Sequence, residues 1–159
     1  MPIARVAAMK LDRRWWVAIA AVAIAAVALG LSQTNLFGRS PEECRPVKDL
    51  LEFNSSQGEQ IESKFADAEG IPSPAEDAAY QAWADGLAER AGMVTAPDLA
   101  GASTQVAYLA NEFVAKLPEI RAQAATRAPG APAPPAYFET MALNSQILEK
   151  LKELSDACA

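Results

Sequence analysis

Four carboxylates are the side chains of this sequence that come nearest to acid–base chemistry. They lie within one predicted helix and are Glu76, Asp77, Asp85 and Glu89. Asp85 and Glu89 are four residues apart and so share a helix face, where a carboxylate pair could exchange protons with a substrate. The alternative, which we favour, is that these are solubility charges on an exposed helix.

The sequence contains no histidine. Histidine is the commonest general base and metal ligand, so its absence excludes Ser-His-Asp and Cys-His nucleophiles and Glu-x-x-His di-iron sites. No glycine-rich phosphate loop is present either. We therefore expect a protein that is not an enzyme, with no catalytic residue, no cofactor and no metal site.

The two cysteines, Cys44 and Cys158, lie near the two ends of the polar part of the chain. Their wide separation does not fit a CxxC redox motif, and two isolated thiols without histidine do not form a zinc site. We predict a structural disulfide between them, with intermolecular pairing as the alternative.

Four aromatic residues could line a pocket between two predicted helices. They are Tyr80, Trp83, Tyr108 and Phe113. A small-molecule ligand between those helices is one interpretation, and plain core packing is the alternative that we favour.

Helical periodicity predominates in the elements that would position these residues. The first predicted helix begins near Pro46, and Ser73-Pro74-Ala75-Glu76 carries the cap signal of the second, with Gly92 as its C-terminal cap. A third helix starts after Thr95, and Pro118 should end or kink it.

The proline-rich stretch 128–136 predicts an extended connector. A last helix follows it over about 137–155. Four helices with short connections favour an up-down-up-down bundle. That topology brings the start of the first helix to the end of the last, where Cys44 and Cys158 lie. It also places Asn54 and Asn144 on neighbouring helices, where direct pairing of their side chains is one open possibility.

An uncharged apolar run extends from Trp15 to Leu31, which is near the lower length limit of a spanning helix. Basic residues precede it, whereas residues 32–159 carry 10 Lys and Arg against 19 Asp and Glu, a net charge of −9. The positive-inside rule places the N-terminus in the cytoplasm. We predict a cytoplasmic tail at 1–14, a transmembrane helix or uncleaved signal anchor at 15–37, a linker at 38–45 and an extracytoplasmic bundle at 46–159.

A cleaved signal peptide is the alternative, with Ala28-Leu29-Gly30 as the cleavage site. If the segment is retained, two small-xxx-small pairs could pack it against another membrane helix. These pairs are Ala21 with Ala25, and Ala26 with Gly30. An alanine-rich helix also produces such spacings by chance.

A basic start, an alanine-rich anchor, a proline-flanked cysteine and an exported helical domain follow one another in this chain. In this layout the chain is similar to the small single-pass envelope proteins of actinobacteria, including mycobacteria. The resemblance implies a bacterial cell membrane location and an all-helical exported domain. It carries no functional residue over.

The favoured function is therefore an accessory or scaffold subunit of a larger cell-envelope membrane complex, with the membrane and another protein as partners. The acidic exported domain argues against nucleic acid as a partner. The alternative function is an extracytoplasmic ligand-binding or sensory module, secreted if cleavage occurs near Gly30.

Overall fold

The structure, a computed structural model, describes residues 39–66, 73–128 and 130–159. Across these ranges the chain forms four α-helices and no strand. The helices are α1 (Pro41–Phe65), α2 (Pro74–Ala91), α3 (Pro97–Ala125) and α4 (Pro135–Ala157). The predicted all-helical class is confirmed for this part of the protein.

Consecutive helices run antiparallel and pack side by side, as an up-down bundle requires. Asp49 near the start of α1 pairs with Arg90 near the end of α2, and Lys116 on α3 pairs with Glu139 early in α4. Helix α1 also touches α4, although less extensively than the consecutive helices touch one another. We call the end that holds both cysteines and the α2–α3 loop the disulfide end, and the opposite end the connector end.

Helix α1 begins five residues before the predicted start at Pro46. Ser40 is its N-cap and forms a capping box with Glu43, while Pro41 takes the first helical position. Pro46 is accommodated inside the helix. The predicted linker at 38–45 was therefore too long, because the capping box at Ser40 starts the helix before Pro46.

Helix α2 begins and ends where the sequence predicted. Ser73 and Glu76 form a capping box, with Pro74 at the first helical position. Gly92 is the C-cap, and its backbone N–H donates to the carbonyl oxygen of Ala88. These signals depend on residues close in sequence, so they could be identified without knowledge of the fold.

Helix α3 continues through Pro118 to Ala125. An end or a kink was predicted at Pro118, and the helix does not end there. Leu117 and Ile120 are buried on either side of the proline, and Arg121 forms an ion pair with Asp77 on α2. These tertiary contacts hold the helix beyond Pro118 and offset the missing backbone donor.

The connector between α3 and α4 is shorter than the predicted 128–136, because α4 begins at Pro135. Pro134 is the N-cap and is extended, with φ −68° and ψ 153°. Gly130 has a φ of +84°, in the left-handed region that glycine tolerates best. The chain thus turns at Gly130 and enters α4 through a proline at its first position.

One hydrophobic core runs along the bundle axis. Its most deeply buried large side chains are Leu50, Leu87, Leu117, Ile147, Leu151 and Leu154. Each helix contributes one apolar stripe, as the predicted periodicity requires.

None of the four helices just described is sufficiently long and apolar to cross a membrane. The predicted tail at 1–14 and anchor at 15–37 lie outside the described residues, as do the small-residue pairs Ala21–Ala25 and Ala26–Gly30.

Candidate functional site

Three of the four aromatic residues predicted to line a pocket pack against one another between α2 and α3. The Tyr80 and Trp83 ring centroids are 6.4 Å apart with the rings edge to face. Phe113 lies 5.6 Å from Tyr80 and 6.0 Å from Trp83. Trp83 is 9% exposed and Phe113 8%. This spacing is typical of packed aromatic pairs, so the three rings form part of the core.

The fourth aromatic residue, Tyr108, is 63% exposed and points into solvent. Tyr108 and Phe113 are five residues apart on α3, and at 3.6 residues per turn this spacing places them on different faces of the helix. The structure therefore brings Tyr80, Trp83 and Phe113 together and leaves Tyr108 outside their cluster.

A buried hydrogen bond ties this cluster to α1. The indole Nε1 of Trp83 donates to Oδ1 of Asn54 over 3.0 Å. Asn54 thus pairs with Trp83, whereas the alternative with Asn144 was open on sequence grounds. The same contact buries the amide within the sequence Asn54-Ser55-Ser56, so the folded domain does not offer this sequon for glycosylation.

Phe53 and Arg90 form a second contact between α1 and α2. The Arg90 guanidinium carbon lies 3.8 Å from the Phe53 ring centroid, and Arg90 Nε lies 3.3 Å from Asp49 Oδ2. The ring packs against Gly86 so closely that an added Cβ would lie 2.1 Å from Phe53 Cζ. Gly86 therefore permits the close approach of Phe53 to the backbone of α2.

Three of the four carboxylates considered for catalysis have separate partners. Glu76 Oε2 accepts from the Ser73 N–H at 2.6 Å, and Asp77 forms the ion pair with Arg121. Asp85 Oδ1 accepts from the Gln81 side chain at 2.8 Å, and Glu89 is exposed. Glu76 and Asp77 therefore act in helix capping and helix pairing.

Within the part of the chain that the structure describes, no group of three or more His, Cys, Asp or Glu side chains could hold a metal ion. The two cysteines bind each other instead, since Cys44 and Cys158 form a disulfide with a Cα–Cα distance of 5.5 Å. The predicted intramolecular disulfide is confirmed.

An ion pair at the disulfide end joins the residues before α1 to the start of α3. The Arg39 guanidinium donates to the Asp98 carboxylate. This hydrogen bond holds the pKa of Asp98 below its ordinary value and raises the pKa of Arg39.

An uncharged surface on α3 was missed by the sequence analysis. Its exposed residues are Gly101, Thr104, Gln105, Tyr108 and Asn111, and we call it the α3 outer face. Residues 99–111 contain no charged side chain, whereas the exposed faces of α1 and α4 are rich in Lys, Asp and Glu. That charge-free run was the available signal, but only the fold shows that Tyr108 is exposed on it. The exposed Glu112, four residues after Tyr108, borders this face.

Comparison of the chain with models of protein families, with curated proteins and with solved structures found no match.

Proposed function

We propose that this protein is a non-enzymatic single-pass membrane protein that acts as an accessory or scaffold subunit of a larger cell-envelope complex. Residues 15–37 would anchor it, with the tail at 1–14 in the cytoplasm and the bundle outside. The basic residues before Trp15 support this orientation. The Cys44–Cys158 disulfide agrees with it, because such bonds persist in oxidising compartments.

The observation that carries the proposal is the α3 outer face. Tyr108 is 63% exposed on this face, and residues 99–111 carry no charge in a domain of net charge −9, with Glu112 at the border of the face. The cores of protein–protein interfaces are depleted of charged residues and enriched in tyrosine. This face therefore suits a protein partner better than the charged faces of α1 and α4.

The bundle also has the rigidity that a docking platform needs. Capping boxes at Ser40 and Ser73 define the starts of α1 and α2, and the disulfide links α1 to α4. A surface that is ordered before binding loses less conformational entropy on association. The α3 outer face would thus be presented to its partner in one fixed geometry.

The test is purification of the native protein from membranes in a mild detergent, followed by measurement of its size and identification of stoichiometric companions. We expect a particle larger than the monomer. Tyr108→Arg should release the companion, because it places a charge on the α3 outer face. Gln146→Arg is the matched control, since it adds the same charge at an exposed position of α4.

The proposal is contradicted if the native protein runs alone at monomer size. If Tyr108→Arg and Gln146→Arg retain the companion equally well, the α3 outer face is not the docking surface. Circular dichroism of both variants ensures that a loss of binding does not reflect unfolding.

A further inference from the structure

We infer that the disulfide end of the bundle is a membrane-contact face that rests on the lipid surface through Met93, so that the bundle stands upright on the bilayer. This inference rests on the proposed anchor at 15–37. It adds an orientation and a lipid contact that the anchor alone does not imply.

Only a short segment separates the proposed anchor from the bundle. Because α1 begins at Pro41, only residues 38–40 separate it from an anchor that ends at residue 37. Three extended residues span at most about 10 Å. Ser40 is engaged in the α1 capping box, and Arg39 is bound to Asp98. The tether therefore holds the disulfide end close to the membrane.

Met93 lies at the disulfide end, in the loop that joins α2 to α3. Arg90, just before this loop, pairs with Asp49 near the start of α1, and Asp98, just after it, pairs with Arg39. The loop and the point where the anchor joins the bundle thus lie side by side.

The loop between α2 and α3 is uncharged and exposes an apolar side chain. Met93 is 51% exposed, and residues 91–97 carry no charge. Val94 is buried beside it and holds the loop against the core. A flexible thioether side chain adapts readily to an irregular apolar surface. The tether keeps the loop at a high effective concentration near the lipid, so that even a weak apolar contact can form.

Charge at this end distinguishes an apolar contact from an electrostatic one. Glu42 and Glu43 lie in the first turn of α1, and the exported domain carries a net charge of −9. Anionic headgroups would be repelled rather than bound. The contact should therefore form on phosphatidylcholine, which is zwitterionic and has no net charge, and should gain nothing from added anionic lipid.

The experiment uses the full-length protein in phosphatidylcholine vesicles, with an environment-sensitive fluorophore on a single introduced cysteine. Thr95→Cys, at an exposed position of the same loop, reports on the proposed contact and leaves Met93 in place. Phe138→Cys is a control at a position that is also exposed, 60%, and lies 20 residues before Cys158 on α4, about 30 Å away along the helix axis. Tyr108→Cys tests the side of the bundle. Intact mass confirms that the Cys44–Cys158 disulfide remains formed in each variant.

Lipids that carry a nitroxide near the headgroup then quench any probe at the bilayer surface. We expect strong quenching and a blue-shifted emission at position 95, and neither at 138 or 108. No quenching at 95 in protein that floats with the vesicles would overturn the inference and leave the anchor intact. Quenching at 108 or 138 equal to that at 95 would overturn the upright orientation. A protein that does not float with the vesicles would overturn both the anchor and the inference.

Discussion

The Trp83 indole N–H and the Asn54 amide oxygen satisfy each other inside the interface between α1 and α2, at 3.0 Å. Asn54 is 2% exposed, so water does not compete for this contact. A shift of one helix along the other would leave both groups buried without a partner, at a cost of roughly 1–3 kcal/mol for each. The pair therefore favours one register of α1 against α2.

Replacing Asn54 by leucine should destabilise the domain by about 1–3 kcal/mol, because it leaves the Trp83 N–H buried and unpaired. Urea unfolding measures this loss. Asn144→Leu is the matched control, since Asn144 is only half-buried on α4, and it should cost less. In a Trp83→Phe background the cost of Asn54→Leu should fall; an unchanged cost would mean that the hydrogen bond does not couple the two residues.

Gly86→Ala and Gly101→Ala should change stability in opposite directions. Alanine is favoured over glycine inside a helix by about 1 kcal/mol, and an added Cβ at Gly101 meets nothing within 4 Å. At Gly86 the Cβ would lie 2.1 Å from Phe53 Cζ. The ring must then leave its position against Arg90, and overpacking of this kind costs typically 1–3 kcal/mol.

Thermal melting of the two glycine variants tests this difference. We expect Gly101→Ala to melt higher than the parent protein and Gly86→Ala to melt lower. Removing the ring with Phe53→Ala should make a subsequent Gly86→Ala substitution stabilising. If Gly86→Ala stabilises the parent protein as much as Gly101→Ala does, the close approach of Phe53 is not required for stability.

Removing the disulfide with the double substitution Cys44→Ser and Cys158→Ser should lower the free energy of unfolding. The bond joins residues separated by 114 positions, and closing a loop of this size contributes up to about 5 kcal/mol in the chain-entropy model. Melting curves with and without reductant provide the measurement. Reductant should destabilise the parent protein and leave the double variant unchanged, whereas equal curves for both proteins would contradict a stabilising role.

Replacing Pro118 by alanine should stabilise the bundle by up to about 3 kcal/mol, since it restores a helix-forming residue with a backbone donor inside α3. Pro118 is exposed, so little packing is lost. Denaturant unfolding gives the magnitude. Pro97→Ala is the control, because proline at a first helical position is well tolerated, and it should give a much smaller gain. A loss of stability in Pro118→Ala would show that the proline is needed at this point of α3.

Tyr137 should titrate later than an ordinary tyrosine, because burial raises the pKa of its phenol. A raised pKa in the folded state means that the associated stability is present below the ordinary value of about 10 and is lost as the pH rises through the folded-state pKa. Phenolate absorbance during alkaline titration measures this. Tyr137→Phe should remove the late component, and a late component that survives this substitution would contradict the burial argument.

Local sequence signals determined much of the secondary structure. Ser73, Pro74 and Glu76 predicted the start of α2 correctly because a capping box involves only neighbours in the chain. The equivalent signal at Ser40 was present in the sequence, but the predicted start was near Pro46. The disulfide between Cys44 and Cys158 was predicted from the number and placement of the cysteines. The helix order agreed with it independently, because an up-down bundle places the ends of its first and last helices together.

Only the tertiary structure decided which side chains meet. Asn54 pairs with Trp83 rather than Asn144, α3 continues through Pro118, and Tyr108 points into solvent away from Phe113. Each outcome depends on the rotation and axial position of one helix against another. These two quantities are set by the packing of the whole core, and a local sequence pattern specifies neither of them.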